Sequence, residues 1–381
     1  MMQHAGDQED GRRWMEQALA LAALGEGATN PNPRVGCLLV RDGRVVGSGY
    51  HRACGTAHAE ALAVASAGAE ARGATAYVNL EPCAHEGRTP PCADLLAKSG
   101  VRRVVASLRD PDPRVDGRGF ENLRASGVQV DVGLLAAAAF QLNEPFLHRY
   151  RKGVPLVTLK AAISLDGMIS ASGGNARWIT SEPARRFAHR LRMRHDAVLV
   201  GAGTVRRDNP QLTVRLPGIR QIRLRVVLAP RLDLDPRSAV FDGDDGTAPL
   251  PRVYAARGVD PVKVARFRGR AEVVEVGAPE DRLRLEEVLA DLLRFQVHSV
   301  LVEGGSHTLG TFLQAGLADR VALFVSPKLL GAGGATPLLS LPSVGEPAQG
   351  WRLEQLQQLA LGPDQLLLGR LNRGPAGPGS G

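Results

Sequence analysis

Two α/β domains are the expectation for this chain of 381 residues, and three observations carry it. The length exceeds one ordinary domain, and each half is large enough to bury its own core. The first half reads as a strand hairpin followed by alternating helix and strand, whereas the second holds two glycine-rich turns, each joining an apolar strand to a helix. Charge divides at the same place: residues 1–150 hold 16 Lys/Arg against 17 Asp/Glu, and residues 151–381 hold 31 against 22.

Taken in order, the chain is polar and acidic over 1–13. A helix is expected over 13–24, where Trp14, Ala18, Leu21 and Leu24 recur at helical spacing before Gly25. Val35 to Val40 turns at Arg41-Asp42-Gly43 and returns over Arg44-Val45-Val46-Gly47-Ser48, a hairpin signal with Asp-Gly in the turn. Cys37 reads as a small core residue and Cys54 as a free thiol in a loop. His58 opens an alanine-rich helix to about Arg72. The strand-like stretch 75–80 then delivers Pro82-Cys83, and Pro91-Cys92 opens the next helix, where proline is well placed. Strands over 101–107 and 128–132 flank a short helix near 120–125. The stretch 140–153 reads as the connector, with the linker near 147–153.

The second half opens on an apolar strand over 156–165 that ends at Asp166-Gly167. Trp178-Ile179-Thr180-Ser181-Glu182-Pro183 leads into a helix with a Thr or Ser cap and proline near its start. The strand 197–200 runs into Gly201-Ala202-Gly203-Thr204-Val205, which fails the GxGxxG pattern, so no Rossmann assignment is made. A strand over 298–302 ends in Glu303-Gly304-Gly305-Ser306 before a helix over 307–315. A glycine pair there lets backbone N–H groups approach a phosphate, although a tight turn without a ligand reads the same way. An amphipathic helix over 281–296 puts Leu285, Val288, Leu289 and Leu292 on its core face. The Gly/Pro-rich tail 372–381 is expected to be disordered. The expected division is therefore 1–150, 151–371 and the tail.

Residues 58 to 92 carry the chemistry. His58, Cys83 and Cys92 are ligand types for tetrahedral zinc, and three protein ligands leave the fourth position to water, as in a catalytic site. Zinc lowers the pKa of bound water from roughly 15.7 to about 7. Glu60, two residues from His58, is the expected carrier of that proton to a leaving amine. Zinc nucleobase deaminases share a His-x-Glu followed by Pro-Cys-x-x-Cys. Here eight residues, Ala84 to Pro91, separate the cysteines.

With that longer spacing, Glu81-Pro82-Cys83-Ala84-His85-Glu86-Gly87-Arg88-Thr89-Pro90-Pro91-Cys92 resembles the deaminase half of the bifunctional riboflavin biosynthesis deaminase/reductase family. Asn30-Pro31-Asn32-Pro33, Val35-Gly36-Cys37 and Gly117-Arg118-Gly119 are similar to the same half. Lys160 to Gly167, Trp178-Ile179-Thr180-Ser181, the run from Gly201 to Arg215, Val302-Glu303-Gly304-Gly305 and Ser326-Pro327-Lys328-Leu329-Leu330-Gly331 resemble its reductase.

The resemblance implies an N-terminal cytidine-deaminase-like three-layer sandwich, a C-terminal dihydrofolate-reductase-like domain, and Zn2+ and NADPH as cofactors. It implies hydrolytic deamination of 2,5-diamino-6-(5-phosphoribosylamino)pyrimidin-4(3H)-one to 5-amino-6-(5-phosphoribosylamino)uracil, then reduction of the ribosyl to the ribityl chain. By the same resemblance Ala162, Trp178, Thr204, Asp208, Gly305, Ser306, His307, Thr308, Leu309, Gly310 and Thr311 would contact the dinucleotide. Arg192, Leu212, Arg215 and Glu303 would contact substrate. Ala176 stands where the family often has a substrate-binding serine, and only its backbone is left for that contact.

Composition narrows the partners. The basic excess lies outside the metal-ligand half, and between Arg177 and Arg225 twelve arginines face only Glu182, Asp196 and Asp208. A nucleic-acid deaminase would put its basic footprint around the metal site, so a phosphorylated small molecule fits better. Any one of these arginines reads equally well as a solvated helix face. The same excess, with the glycine-rich turns, favours NADPH over NADH, because a 2′-phosphate gives basic side chains a partner.

The alternative is a tRNA-type deaminase with an appended nucleotide-binding domain. A binding protein on a dead scaffold is disfavoured because His58, Glu60, Cys83 and Cys92 are all present. No apolar run approaches the roughly 18 residues that span a bilayer. Four cysteines, two of them in the metal pattern, exclude a disulfide framework. The expectation is a soluble cytoplasmic enzyme, with room for a homo-oligomer.

Overall fold

The computed structural model describes residues 2–373 apart from 86–89, 175–177, 222, 244–247, 279–282 and 342–343. The chain folds as two compact units, Met1–Gly153 and Val154–Gly381.

The first unit runs α1 (Met2–Ala23), β1 (Gly36–Arg41), β2 (Arg44–Tyr50), α2 (Ala59–Ala67), β3 (Thr75–Val78), α3 (Cys92–Lys98), β4 (Arg103–Ala106), α4 (Arg118–Ala125), β5 (Gln129–Val132) and α5 (Ala136–Lys152). Its sheet has the order β2-β1-β3-β4-β5, antiparallel on the β2 side and parallel from β3 to β5. Strand alternation splits β1 between two cores. Cys37 and Leu39 pack with alanines of α2 and with Leu96, Phe120 and Leu123. Leu38 and Val40 pack with Trp14, Met15 and Ala18 of α1. The result is helix, sheet and helix in three layers.

The alanine and glycine content seats α2 closely. A Cβ at Gly49 would lie 2.5 Å from the Ala59 carbonyl oxygen, and one at Gly47 would run into that of Ala63. Two boundaries differ from expectation. Helix α1 starts far earlier than residue 13, and Leu24 lies past its end, exposed. Helix α2 stops at Gly68, whose φ of 54° breaks it before a short 3-10 turn. The expected connector is itself helical: α5 buries Phe146 and Leu147 against Leu80 within the first unit.

The second unit runs β6 (Leu156–Ser164), β7 (Met168–Ser170), α6 (Glu182–Arg194), β8 (Ala197–Gly201), α7 (Ala202–Asp208), β9 (Val214–Leu216), β10 (Ile219–Gln221) and β11 (Leu224–Leu228). It continues through β12 (Arg252–Ala256), α8 (Pro261–Ala265), β13 (Glu272–Val276), α9 (Leu285–Arg294), β14 (Ser299–Val302), α10 (Ser306–Gln314) and β15 (Arg320–Ser326). It ends with β16 (Thr336–Pro337), β17 (Trp351–Leu361) and β18 (Asp364–Arg373).

The main sheet has the order β13-β12-β11-β8-β14-β6-β15-β18-β17, parallel from β13 to β15 and closed by an antiparallel hairpin. Its central strands are apolar on both faces, as a covered parallel sheet requires. Val198 and Val200 pack into one core, Leu199 and Val302 into the other. Leu285, Val288, Leu289 and Leu292 of α9 are all buried, as their spacing predicts.

Ser181 holds the N-cap position of α6 but does not cap it, because its hydroxyl donates to Asp364 at 2.5 Å. Asn372 and Arg373, expected in the tail, close β18, and 374–381 lie outside the described residues. Among the described residues no helix is long and apolar enough to cross a membrane.

Candidate metal centre and dinucleotide cleft

His58 is the N-cap of α2, and Cys92 is the first residue of α3 behind Pro91, so two helix starts converge on Cys83. The three ligand atoms lie within 4.8 Å of one another. His58 Nδ1 is 3.3 Å from Cys92 Sγ and 3.6 Å from Cys83 Sγ. Tetrahedral zinc, with bonds near 2.0 and 2.3 Å, sets such N···S pairs about 3.6 Å apart. The donor set therefore fits the metal in type and spacing.

The Cys92 N–H donates to Cys83 Sγ. Hydrogen bonding within the cysteine pair draws the Cys83 thiol down, toward the thiolate form that a metal binds, and pushes the Cys92 thiol up. Glu60, on the same turn of α2 as His58, is buried, and burial followed by the Cys83 charge pushes its carboxyl up to about 7.

Glu81 holds the loop that presents Cys83. Its carboxylate accepts the backbone N–H groups of Asp110, Gly117, Gly119 and Phe120. Gly119 passes so close to this loop that a Cβ there would run into the Pro82 carbonyl oxygen. His51 packs edge-on against His58, with ring centroids 5.5 Å apart, and hydrogen-bonds with the Asn32 amide at 3.1 Å.

In the second unit a cleft of about 1640 Å³ opens where β8, β11 and β14 end, beside β6. Ala162, Trp178, Thr204, Asp208, Gly305, Ser306, His307, Thr308 and Thr311 line it, as do Arg192, Leu212, Arg215 and Glu303. Leu309 and Gly310 do not. The helical rotation of α10 turns Leu309 into the core and Gly310 against Leu341, 2.9 Å from where a Cβ would stand. Ala176 lies outside the described residues.

The turns at this cleft are built for backbone approach. A Cβ at Gly304 would lie 2.5 Å from Thr308, and one at Gly201 would lie 2.6 Å from the Thr308 hydroxyl. Ser306 Oγ, buried at the start of α10, has no hydrogen-bond partner among the described residues. An orphaned hydroxyl at a helix N-terminus fits a phosphate.

Glu303, at the end of β14, is gripped by Arg192, whose Nη1 also donates to the Thr213 carbonyl. Lys160 Nζ stands 4.0 Å from the same carboxylate. Burial would raise the Glu303 carboxyl, but Arg192 and Lys160 outweigh it and hold it at about 2. Arg192 is thus engaged in orienting Glu303, and Arg215 Nη1 donates to Gln211 Oε1 and Thr213 Oγ1 at the same cleft. Of the twelve arginines, Arg185, Arg192, Arg206, Arg207 and Arg215 line the cleft, whereas Arg225 is buried against the Asp242 carbonyl.

Sequence reasoning assigned no role to Asn32, His51, Glu81 or Lys160. The available signal for Lys160 was one cation inside the apolar strand β6; for Glu81 there was none beyond its place in the motif.

Residues 8–108 match the family model described as the cytidine and deoxycytidylate deaminase zinc-binding region, and residues 155–367 match the RibD C-terminal domain. The riboflavin biosynthesis protein RibD of Bacillus amyloliquefaciens is 43% identical, over 92% of this chain and 94% of that protein. The structure of Acinetobacter baumannii RibD superposes with a TM-score of 0.87 at 34% identity, covering 96% of this chain and 100% of that one. A diaminohydroxyphosphoribosylaminopyrimidine deaminase/5-amino-6-(5-phosphoribosylamino)uracil reductase from Thermotoga maritima gives 0.82 at 36%, covering 96% and 99%.

Proposed function

The chain belongs to the RibD family of riboflavin biosynthesis proteins, and we propose that its own residues divide that family's two activities between the two units. It is a bifunctional enzyme, a zinc-dependent deaminase and an NADPH-dependent reductase. Its substrate is the diaminopyrimidinone ribosyl phosphate named for the Thermotoga relative. Deamination gives 5-amino-6-(5-phosphoribosylamino)uracil, and reduction converts its ribosyl group to ribityl.

Bound zinc supplies Lewis acidity to a water, and bound NADPH supplies a hydride. His58, Cys83 and Cys92 hold the metal. Glu60 takes the proton of the attacking water and delivers it to the departing ammonia. A carboxyl already near 7 through burial suits a proton that must be both accepted and released, and a bound dication would draw it lower. In the cleft, the 304–306 turn receives the cofactor phosphates. Glu303, locked by Arg192 and Lys160, orients the sugar, and Arg215 pairs with the substrate phosphate.

The observation that carries this reading is the triangle of His58, Cys83 and Cys92 beside the buried Glu60. A small phosphorylated substrate fits better than a nucleic acid, because the basic excess belongs to the second unit, where six arginines line the cleft. Two cysteines at the metal centre and two more outside any disulfide suit a reducing compartment, the cytoplasm. The test is to follow ammonia release and NADPH oxidation with the pathway pyrimidine and then with RNA. Both signals should appear with the pyrimidine alone, and ammonia from RNA would overturn the assignment.

A further inference from the structure

The order β11-β8-β14-β6 sets a direction across the cleft. Lys160 on β6 and Glu303 at the end of β14 mark one end. Next come the two glycine turns, after β14 and after β8, with the orphaned Ser306 hydroxyl at the first of them. Beyond them lies β11. Leu228, its last residue, is in register with Gly201, so 229–231 emerge beside the turn that starts α7. A dinucleotide with its phosphates at the turns and its nicotinamide toward Glu303 must extend its adenosine toward β11.

Arg207, at the end of α7, and Arg231, just past β11, both line this end of the cleft. Arg206 Nη1 reaches Asp233 Oδ2 at 2.7 Å and ties the two segments together. A carboxylate at the adenosine ribose selects a free 2′-hydroxyl, whereas guanidinium groups select a 2′-phosphate. Here the guanidiniums of Arg206, Arg207 and Arg231 outnumber the carboxylates of Asp208 and Asp233, and Asp233 is already engaged by Arg206.

Resting on the assignment of this cleft to NADPH, we propose that Arg207 and Arg231 bind the 2′-phosphate and so set the preference for NADPH over NADH. Both side chains are exposed, so glutamine at either position leaves the core intact.

The test is calorimetric titration of the full chain with 2′,5′-ADP and with 5′-ADP. The wild-type chain should prefer 2′,5′-ADP by about tenfold or more, the factor that one charge-assisted hydrogen bond contributes. Arg231→Gln and Arg207→Gln should each remove about tenfold from 2′,5′-ADP binding and change 5′-ADP binding by less than about twofold. Equal losses for both nucleotides, or no loss for either, would overturn the proposal. So would Asp233→Asn weakening 5′-ADP alone, which would make that carboxylate the ribose reader. If neither nucleotide bound the wild-type chain, the cleft assignment itself would fall, and this proposal with it.

Discussion

Arg192 and Glu303, 111 residues apart in the chain, meet side-on, with Nε to Oε1 at 2.6 Å and Nη2 to Oε2 at 2.8 Å. Such a pair is a geometric device more than a source of stability, since burying both charges offsets most of their attraction. Breaking it is another matter. Arg192→Met leaves the buried carboxylate with Lys160, 4.0 Å away, as its remaining cation and should cost up to about 3–5 kcal/mol, with reduction lost and ammonia release retained. Urea unfolding and the two rate assays would check this.

The same carboxylate predicts a pH dependence. Glu303 is held at about 2, below the ordinary glutamate value of about 4.3. The stability its ionised form contributes is complete above the ordinary value and is lost as pH falls toward 2. Glu303→Gln should therefore unfold more easily than wild type at pH 7, and the gap in midpoints should narrow between about pH 5 and pH 2. A gap independent of pH would contradict the ionised pairing.

Ser306 offers a cleaner separation of binding from folding. Its buried hydroxyl has no partner among the described residues, so Ser306→Ala should leave the melting temperature unchanged or slightly raised. Affinity for NADPH should fall about tenfold if that hydroxyl meets a phosphate. Unchanged affinity would remove Ser306 from the cofactor contacts.

Gly119 should control metal retention at a distance in sequence. A Cβ there meets the Pro82 carbonyl oxygen, and Pro82 precedes the ligand Cys83. Gly119→Ala should displace that loop, loosen the Glu81 anchor and lower the zinc content of the purified protein. Full zinc occupancy with wild-type ammonia release would show that the loop accommodates the methyl group.

What could be read before the structure was known shares one property: its determinants are local. His58 and Glu60 sit on one helical turn, and the cysteines lie at strand and helix ends marked by prolines. The amphipathic face of α9 follows from spacing alone. The Glu81 anchor could not be read, because its four partners are backbone N–H groups that carry no residue signature. Ser181 read as a helix cap because the competing acceptor, Asp364, lies 183 residues further on. Leu309 and Gly310 read as part of the cofactor motif because a contiguous run hides helical rotation, which turns these two inward and leaves His307 and Thr311 at the cleft.

Glu60→Gln provides the most direct test of the claim that each unit carries its own chemistry. Glutamine keeps the size of the side chain and removes its ability to carry a proton. Ammonia release and reduction of the pre-deaminated uracil should be timed on the same folded, zinc-loaded sample. Deamination should fall by about 10² to 10⁴-fold, the usual contribution of a positioned acid/base group, while reduction stays within about twofold of wild type. Loss of both activities in that sample would contradict independent sites and would require the two units to share residues or conformational control.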